Sequence, residues 1–189
     1  MVSAGIIRKL PSLLKPLSDE QGANAAVALI LRPKGDDFEI LLVKRVKNPS
    51  DPWSGQIALP GGKRDFKDVS LKETVMRETM EETDINLNCS RFLGVTTVLE
   101  SEPRRGLRIL PFVMLLDHEQ EIKLNRNELE GCMWVPYERI VHSKGTFKYS
   151  FGKVPAYVLG NDVVWGITHR VLSDFAQAVH EAFKQQNEA

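Results

Sequence analysis

The stretch "LPGGKRDFKDVSLKETVMRETMEETDI", Leu59–Ile85, places two glycines and a polar loop before a helix-forming segment that ends in closely spaced glutamates. Ser70 is followed three residues later by Glu73, which is the capping-box pattern of a helix N-terminus. The sequence therefore predicts a long loop and then a helix that begins directly after Ser70.

Three glutamates of this predicted helix, Glu78, Glu81 and Glu82, fall within an arc of about 100°. Like charges on one helix face repel each other, and Arg77 is the only cation near them in this segment. An acidic helix face is commonly just solvated. However, magnesium takes carboxylate and backbone carbonyl oxygens, and a Gly-Gly step at Gly61 lets the backbone approach the helix closely. The combination favours a site for Mg²⁺ or Mn²⁺.

Composition indicates one globular domain, because 42% of the 189 residues are apolar and 26% are charged. The 25 basic and 25 acidic side chains give a net charge of zero, so the protein has no overall positive field that would attract a polyanion. We therefore expect no nucleic-acid partner. Apolar runs are shorter than the about 20 residues of a membrane helix, and the N-terminus lacks a secretory pattern. These features predict a cytoplasmic protein. Its two cysteines, Cys89 and Cys132, are predicted to be reduced and to pack in the fold. The oligomeric state stays open, and a homo-oligomer is possible.

Apolar, β-branched segments alternate with turn signals along the rest of the chain. The runs Ala25–Pro33 and Phe38–Val46 flank "KGDD" and predict a hairpin, and a short extended piece is expected at Gln56–Leu59. An amphipathic helix is expected over 167–186. Further strand-like segments are 91–100, 107–116, 131–140 and 156–166. The pattern predicts a mixed α/β domain with a sheet between helices.

The segment from Gly62 to Ile85 resembles the Nudix box, G-x5-E-x7-R-E-U-x-E-E-x-G-U. The match centres on the run Arg77-Glu78-x-x-Glu81-Glu82 and its "LPGG" entry. The resemblance implies a Nudix-type α/β/α sandwich with a mixed β-sheet between helices. It also implies a single domain, 1–189, with an N-terminal extension at 1–20 and the box at 59–85.

Three positions depart from the box. Asp68 stands where the family has glutamate, and eight residues rather than seven separate it from Arg77. Asp84 occupies the position of the motif's second glycine. A left-handed backbone conformation is expected there, and aspartate adopts it less easily than glycine does. We expect local adjustment at these positions and retention of the site.

The resemblance implies a role for each matched residue. Glu78 and Glu82 would ligate the metal, Glu81 would join them or act through water, and Arg77 would orient the glutamates. The Gly61 carbonyl would complete the metal's ligands. The implied reaction is attack of water on a phosphorus of a nucleoside diphosphate derivative, a small-molecule substrate, with Mg²⁺ or Mn²⁺ as cofactor.

The general base of such enzymes often lies outside the box. Glu128, in the polar segment "LNRNELEGCMWVP", is the first candidate because it precedes a predicted strand and can reach over the site. Glu130 and Glu100 are alternatives. A solvated loop glutamate is an equally good interpretation of each.

Segments outside the box resemble the coenzyme A pyrophosphatase branch of the family. The similar segments are "LLVKRV", "SGQIALPGGKRDFKD", "RETMEE" and "VWGITHRVL". That branch has an arginine four residues before the glycine of its upstream signature, whereas Asp51 stands four residues before Gly55 here. The missing cation argues against coenzyme A at this position.

Other side chains are candidates for binding the substrate. Arg45, Lys47, Arg104 or Arg105 would replace the missing cation, and the alternative for each is a solvated surface charge. Trp53 would either stack on a base or fill the core beneath its loop. Trp134, Trp165, His169 and His180 are predicted to be packing or surface residues.

Four functions are compatible with these features. The leading hypothesis is a metal-dependent hydrolase of coenzyme A or a coenzyme A derivative. The second is the same chemistry on ADP-ribose, a dinucleoside polyphosphate or a damaged nucleoside triphosphate. A non-catalytic nucleotide-sensing module is the third, and the intact glutamates argue against it. RNA decapping is the fourth, which the neutral net charge disfavours.

Overall fold

The computed structural model describes residues 4–17, 20, 22–35, 37–50, 53–102 and 104–187. Asp51, the position that differs from the coenzyme A signature, lies outside the described residues. The helices are α1 Ala4–Leu13, α2 Leu71–Thr83, α3 Tyr137–His142 and α4 Gly166–Asn187, with a 3-10 turn at Leu87–Cys89. The strands are β1 Ala25–Lys34, β2 Asp37–Arg45, β3 Ile57–Ala58, β4 Gly61–Lys63, β5 Arg91–Val95, β6 Leu99–Glu100, β7 Arg108–Leu115, β8 Leu129–Pro136, β9 Lys144–Tyr149, β10 Gly152–Leu159 and β11 Asp162–Trp165.

The main sheet has the strand order β3-β2-β1-β7-β5, with β4 paired to β1, β6 to β7 and β8 to β2. β1 runs parallel to β7 and antiparallel to β2, so the sheet is mixed. Leu31 lies opposite Ile40 in the β1–β2 hairpin. The predicted hairpin and the predicted mixed sheet are therefore confirmed.

Both faces of the main sheet are buried, which is why β1 is an unbroken apolar run. Leu29 and Leu31 point to one face, whereas Ala28 and Ile30 point to the other. Side chains alternate in this way along any strand, so a strand covered on both sides has no polar face. A fully buried leucine or isoleucine stabilises the fold by about 1.5 to 3 kcal/mol.

Helices cover the two faces of the sheet. Leu71 and Val75 of α2 pack on one face, and Ile6 and Leu10 of α1 join Phe175 of α4 on the other. This layering is the predicted α/β/α sandwich, which is confirmed. None of the helices within the described ranges has a stretch long and apolar enough to cross a membrane.

The two ends of α2 are fixed by local interactions. The Ser70 side chain accepts a hydrogen bond from the backbone N–H of Glu73, and the Glu73 carboxylate accepts one from the backbone N–H of Val69. At the other end Asp84 has φ 63°, and its N–H donates to the carbonyl of Met80. Among the described residues it is the only non-glycine with a positive φ. The aspartate thus takes the left-handed conformation of the motif's glycine, at a cost of roughly 1 to 2 kcal/mol.

Some local predictions are wrong. The segment 131–140 is a strand only to Pro136, after which α3 begins, because proline has no N–H to extend the ladder. α1 and β9 were not expected, since prolines and lysines interrupt their apolar patterns. Cys89 is exposed, so its predicted packing role is wrong, whereas Cys132 is partly buried; both are free thiols.

A second sheet, with the order β11-β10-β9, lies beside the first. The segment 156–166, which was predicted as one strand, covers the end of β10 and all of β11. These two strands are antiparallel, with Ala156 opposite Trp165. This small sheet and the start of α4 form one wall of a cavity.

Candidate active site

A cleft of about 290 Å³ lies where α2 meets β1 and β4. Three of the predicted acids, Glu78, Glu82 and Glu128, line it, together with Arg45 and Arg104. The fold thus brings together groups that come from the box helix, the end of β2 and two separate loops.

Glu82 is the most buried of the acids, with only 3% of its surface exposed. One of its carboxylate oxygens accepts a hydrogen bond of 2.9 Å from the backbone N–H of Gly61. Burial raises the pKa of Glu82 to about 8; the Gly61 N–H and Arg45 oppose the rise, and the charges of Glu78 and Glu128 add to it. A cation beside this carboxylate would offset the same repulsion.

Glu78 lies against the glycine loop. A Cβ atom at Gly62 would come within 2.5 Å of the Glu78 carboxyl group, so a larger residue there would displace that carboxylate. Burial raises the pKa of Glu78; Arg77 opposes this effect, and Glu81 and Glu128 reinforce it. Gly61 is more strictly constrained, since its φ is 141° and a Cβ would clash with the backbone of the neighbouring strand β1.

Arg77 connects the acids to the loop before the helix. Its Nε and Nη2 donate to the two carboxylate oxygens of Asp68 at 3.0 and 2.8 Å. Its Nη1 donates to Glu78 at 2.8 Å and to Glu81 at 3.2 Å. The bidentate pair holds the guanidinium plane, and that plane in turn fixes the Glu78 carboxylate.

Asp68 is held as firmly as the arginine that it binds. The hydroxyl of Thr74 and the backbone N–H of Asp65 both donate to it, each at 2.9 Å. The hydrogen bonds from Arg77 keep the pKa of Asp68 far below its usual range although the side chain is buried. The extra residue between Asp68 and Arg77 therefore leaves their contact intact.

Glu81 is not brought into the cleft. Its side chain is 56% exposed and contacts Arg77, whereas Glu78 and Glu82 line the cavity. Within the described ranges, no group of three or more His, Cys, Asp or Glu side chains is arranged to hold a metal ion. Two carboxylates beside a glycine backbone nevertheless suit magnesium, which keeps several waters and takes oxygen atoms from substrate phosphates.

Glu128 is held at the mouth of the cleft by the turn before β8. Its carboxylate accepts a hydrogen bond of 2.9 Å from the Asn125 side chain. The backbone N–H of Asn125 donates to the carbonyl of Glu82, which ties this turn to the end of α2. Of the alternative bases, Glu130 lies 4.0 Å from Lys44 and Glu100 accepts from the Gly106 N–H; neither lines the cleft.

The predicted substrate-binding cations separate into two groups. Arg45 and Arg104 line the cleft, and Lys63, which was not predicted from the sequence, lines it too. Lys47 and Arg105 line neither cavity of the described structure. Lys63 directly follows the Gly-Gly step, so its position in the box was the available signal.

Trp53 has the core contacts that were considered for it, and its stacking on a base stays a prediction. Its ring packs beside a small core cluster that contains Leu107 and Ile109. The Arg104 guanidinium lies 4.9 Å from the ring centre, which is a cation–π distance. Trp53 also lines the cleft, so its core and cleft contacts coexist.

A second cavity of about 490 Å³ lies next to the cleft. Trp53, Gln56 and Ile167 line both cavities. This cavity was not predicted from the sequence, because its walls come from distant segments of the chain. The other lining residues are Glu102, Phe151, Val154, Pro155, Trp165, Gly166, His169 and Arg170.

The two histidines of α4 differ in environment. His169 is partly buried, its ring lies 4.8 Å from that of Tyr157, and burial lowers its pKa. His180 is exposed. Neither has a neighbouring set of metal-binding side chains within the described residues.

Comparisons with known proteins agree with this architecture. The sequence profile of the NUDIX domain matches residues 22–153. An uncharacterised Nudix hydrolase, NudL, from Photorhabdus laumondii subsp. laumondii is 31% identical over 180 residues, which cover 90% of this chain and 92% of the relative.

Solved structures show the same fold. The MutT protein from Methanosarcina mazei Go1 has a TM-score of 0.54 at 23% identity and covers 91% of this chain and 96% of its own. An Ap4A hydrolase from C. elegans, solved as a binary complex, has a TM-score of 0.50 at 22% identity and covers 60% of this chain and 80% of its own. These likenesses concern the fold.

Proposed function

Because this chain belongs to the NUDIX domain family and is a Nudix pyrophosphohydrolase, we propose that its substrate is coenzyme A or a coenzyme A derivative. Water would attack a phosphorus of the diphosphate linkage and release two phosphorylated products. The observation that carries the proposed reaction is the convergence of Glu78, Glu82 and Glu128 in a cleft edged by arginines. The choice of coenzyme A rests on the similarity of segments such as "SGQIALPGGKRDFKD" to that branch of the family.

Nudix hydrolases generally need divalent metal ions, and we propose Glu78 and Glu82 as the ligands of Mg²⁺ or Mn²⁺ in this chain. Both carboxylates line the cleft, and Gly61 and Gly62 keep side chains out of the space beside them. Glu81 would support them through Arg77 and water, and the Gly61 carbonyl remains the proposed backbone ligand. When bound, the ion would neutralise negative charge on the phosphate oxygens.

The protein's own side chains would supply the remaining chemistry. We propose that Glu128 accepts the proton of the attacking water, since it lines the cleft and its charge acts on both Glu78 and Glu82. Arg77 would hold Glu78 in position through its bond to Asp68. A positioned base of this kind typically contributes about 10²- to 10⁴-fold to the rate.

Cations beside the cleft support the proposal of a phosphorylated substrate. Arg45, Lys63 and Arg104 line its wall and would bind phosphate oxygens without any help from position 51. This is how the chain would compensate for the arginine that the coenzyme A signature has and that is replaced here by aspartate.

We further propose that residues 1–189 act as one domain. Ile6 and Leu10 of α1, and Phe175 of α4, lie outside the matched residues 22–153, but they share one core cluster with Leu29 and Leu31 of β1. The terminal helices therefore bury the same apolar core as the sheet.

The test is product analysis by mass spectrometry after incubation with Mg²⁺. The panel contains coenzyme A, acyl-coenzyme A, ADP-ribose, NADH, diadenosine polyphosphates and oxidised dGTP, and Glu82→Gln is the inactive control. Release of 3′,5′-ADP with 4′-phosphopantetheine is the expected result. Cleavage of another compound alone would overturn the coenzyme A assignment. Binding without cleavage of any compound would favour a sensor.

A further inference from the structure

An aromatic wall, which we define as Phe147, Tyr149, Phe151 and Trp165, lies beside the second cavity, and its members Phe151 and Trp165 line the cavity. The rings of Tyr149 and Phe151 are stacked, with centres 5.2 Å apart and planes 4° from parallel. Trp165 lies 4.8 Å from Tyr149 and 5.7 Å from Phe151. The strands β9 and β11 and the turn between β9 and β10 thus bring their aromatic rings into contact.

The fold does not require a phenylalanine at position 151. It occupies the two-residue turn between β9 and β10, where Tyr149 pairs with Gly152, and such turns favour glycine, asparagine or aspartate. Its side chain is 67% exposed, so it adds little to core packing. The ring packs against Tyr149 and Trp165 and lines the cavity, so its exposed face is accessible to a ligand there.

The second cavity adjoins the catalytic cleft. Trp53, Gln56 and Ile167 line both spaces, so a molecule that occupied both would pass these three residues. The volume of about 490 Å³ lies within the range of small-molecule sites. Its occupant is therefore expected to be the part of the substrate that extends away from the reacting diphosphate.

The side chains that line the second cavity indicate which kind of chemical group it would bind. Phe151, Val154, Pro155 and Trp165 present apolar surface, whereas Gln56, Glu102, His169 and Arg170 add polar groups. Arg170 already donates to the carbonyl of Glu100, and the buried Nε2 of His169 has no hydrogen-bond partner among the described residues. A chain that alternates methylene and amide groups matches this mixture, because the methylene groups need apolar contact and the amides need hydrogen-bond partners.

We propose that the second cavity binds the non-nucleotide arm of the substrate, an extended chain of methylene and amide groups, with Phe151 and Trp165 as its main contacts. The inference rests on the proposed function for the identity of the diphosphate end. Val154, Pro155, Trp165 and Ile167 all lie beyond residue 153, where the match to the NUDIX domain ends. Phe151 lies within the match, so the cavity combines matched and unmatched segments and would add a selectivity site beside the catalytic cleft.

The direct test uses a probe that has the chain and lacks the diphosphate. Isothermal titration calorimetry with S-hexanoyl-pantetheine would compare the wild-type protein, Phe151→Ala and Phe66→Ala. Phe66 is the matched control, because it is also an exposed phenylalanine, 89% exposed, and lines neither cavity. We expect Phe151→Ala to weaken binding about fivefold or more, from the lost apolar contact. Phe66→Ala should bind as the wild type does.

Kinetics separate this inference from the proposed function. For hexanoyl-coenzyme A, Phe151→Ala should raise KM at least about fivefold with little change in kcat, whereas KM for ADP-ribose should not change. Hydrolysis of coenzyme A by a wild type that does not bind the probe would overturn the cavity assignment and leave the function standing. Phe151-dependent probe binding without hydrolysis of any panel compound would do the reverse.

A competing occupant is a second copy of the chain. Size-exclusion chromatography with light scattering would show a dimer in the wild type and a monomer in Phe151→Ala if the aromatic wall were an interface. That outcome, combined with equal probe binding by all three proteins, would overturn the proposal.

Discussion

The acidic end of the cleft and the aromatic wall of the second cavity are built in opposite ways. The acidic end consists of neighbours in sequence, Asp68, Arg77, Glu78 and Glu82, held by direct hydrogen bonds between charged groups and to the glycine backbone. The aromatic wall is formed by ring contacts between strands of a separate sheet. In the proposed function, the first arrangement would fix atoms for chemistry and the second would provide surface for a ligand.

This contrast leads to a functional expectation. Changes at the acidic end should reduce turnover of every substrate alike, because all share the diphosphate. Changes at the other end should alter the preference among substrates and leave kcat nearly constant. The two ends can therefore be tested separately by substitution.

The largest effect is expected from Glu78→Gln and Glu82→Gln. Each should lower kcat by about 10³-fold on every substrate, because a neutral amide is a poor ligand for a divalent cation. Thermal unfolding should change little, since the amide keeps the shape of the carboxylate and its oxygen at position 82 can still accept the Gly61 N–H. Steady-state kinetics and calorimetry on the same samples would check both statements. Wild-type turnover in either variant would remove that residue from the metal assignment.

Glu128→Gln should have the next largest effect, a fall in kcat of about 10²-fold at saturating metal. The substitution removes a proton acceptor and keeps the hydrogen bond from Asn125. Metal affinity, measured by titration with Mn²⁺ and electron paramagnetic resonance, should stay within about threefold of the wild type, because Glu128 is proposed as a base and not as a ligand. Glu130→Gln is the matched comparison, and a larger loss there would transfer the role of base to Glu130.

Asp68→Asn should affect both activity and stability. It breaks the bidentate bond to Arg77 and should cost about 3 kcal/mol in the free energy of unfolding. It should also lower kcat about tenfold, because Glu78 loses its orienting arginine. Chemical denaturation of both proteins would measure the difference.

The stability difference between wild type and Asp68→Asn should depend on pH. The pKa of Asp68 in the folded protein lies below its ordinary value of 3.8, so the unfolded chain takes up the proton first as pH falls. The ion pair's contribution is therefore complete at neutral pH and is lost progressively below about pH 4. A difference in unfolding free energy that stayed constant down to pH 3 would contradict the assignment.

The contrast also explains how much the sequence could predict. The capping box at Ser70, the acidic face of α2 and the apolar runs of β1 and β2 depend on short-range rules, so they could be predicted from the sequence. Glu81 was placed on the same face as Glu78 and Glu82, but helical periodicity cannot show that Arg77 holds it outside the cleft. The three glutamates share one arc of the helix, and only the direction of each side chain decides whether it lines the cleft.

The second cavity could not be predicted because no local pattern encodes it. Trp53, Phe151 and Trp165 are far apart in sequence, and each taken alone resembles an ordinary packing residue. The short strand β9 was missed, because "KGTFKY" mixes apolar and charged residues, and with it the hairpin that carries Phe151. The nearest available signal was the aromatic run "FKYSF" at 147–151, whose three rings share one wall of the sheet.

The smallest effect is expected where the two ends of the site meet. Arg104 stacks on Trp53 at 4.9 Å and lines the cleft, so Arg104→Gln removes both a cation for phosphate and a cation–π contact, worth about 0.5 to 1 kcal/mol at an exposed site. KM should rise about two- to fivefold with kcat unchanged, and the rise should shrink at high ionic strength, since salt screens the phosphate contact. Arg105→Gln alters the next residue, which lines neither cavity, and should raise KM less. Equal increases in KM for Arg104→Gln and Arg105→Gln would mean that the loop with these two arginines acts only through its overall charge. The boundary between the acidic end and the aromatic wall would then not lie at Trp53.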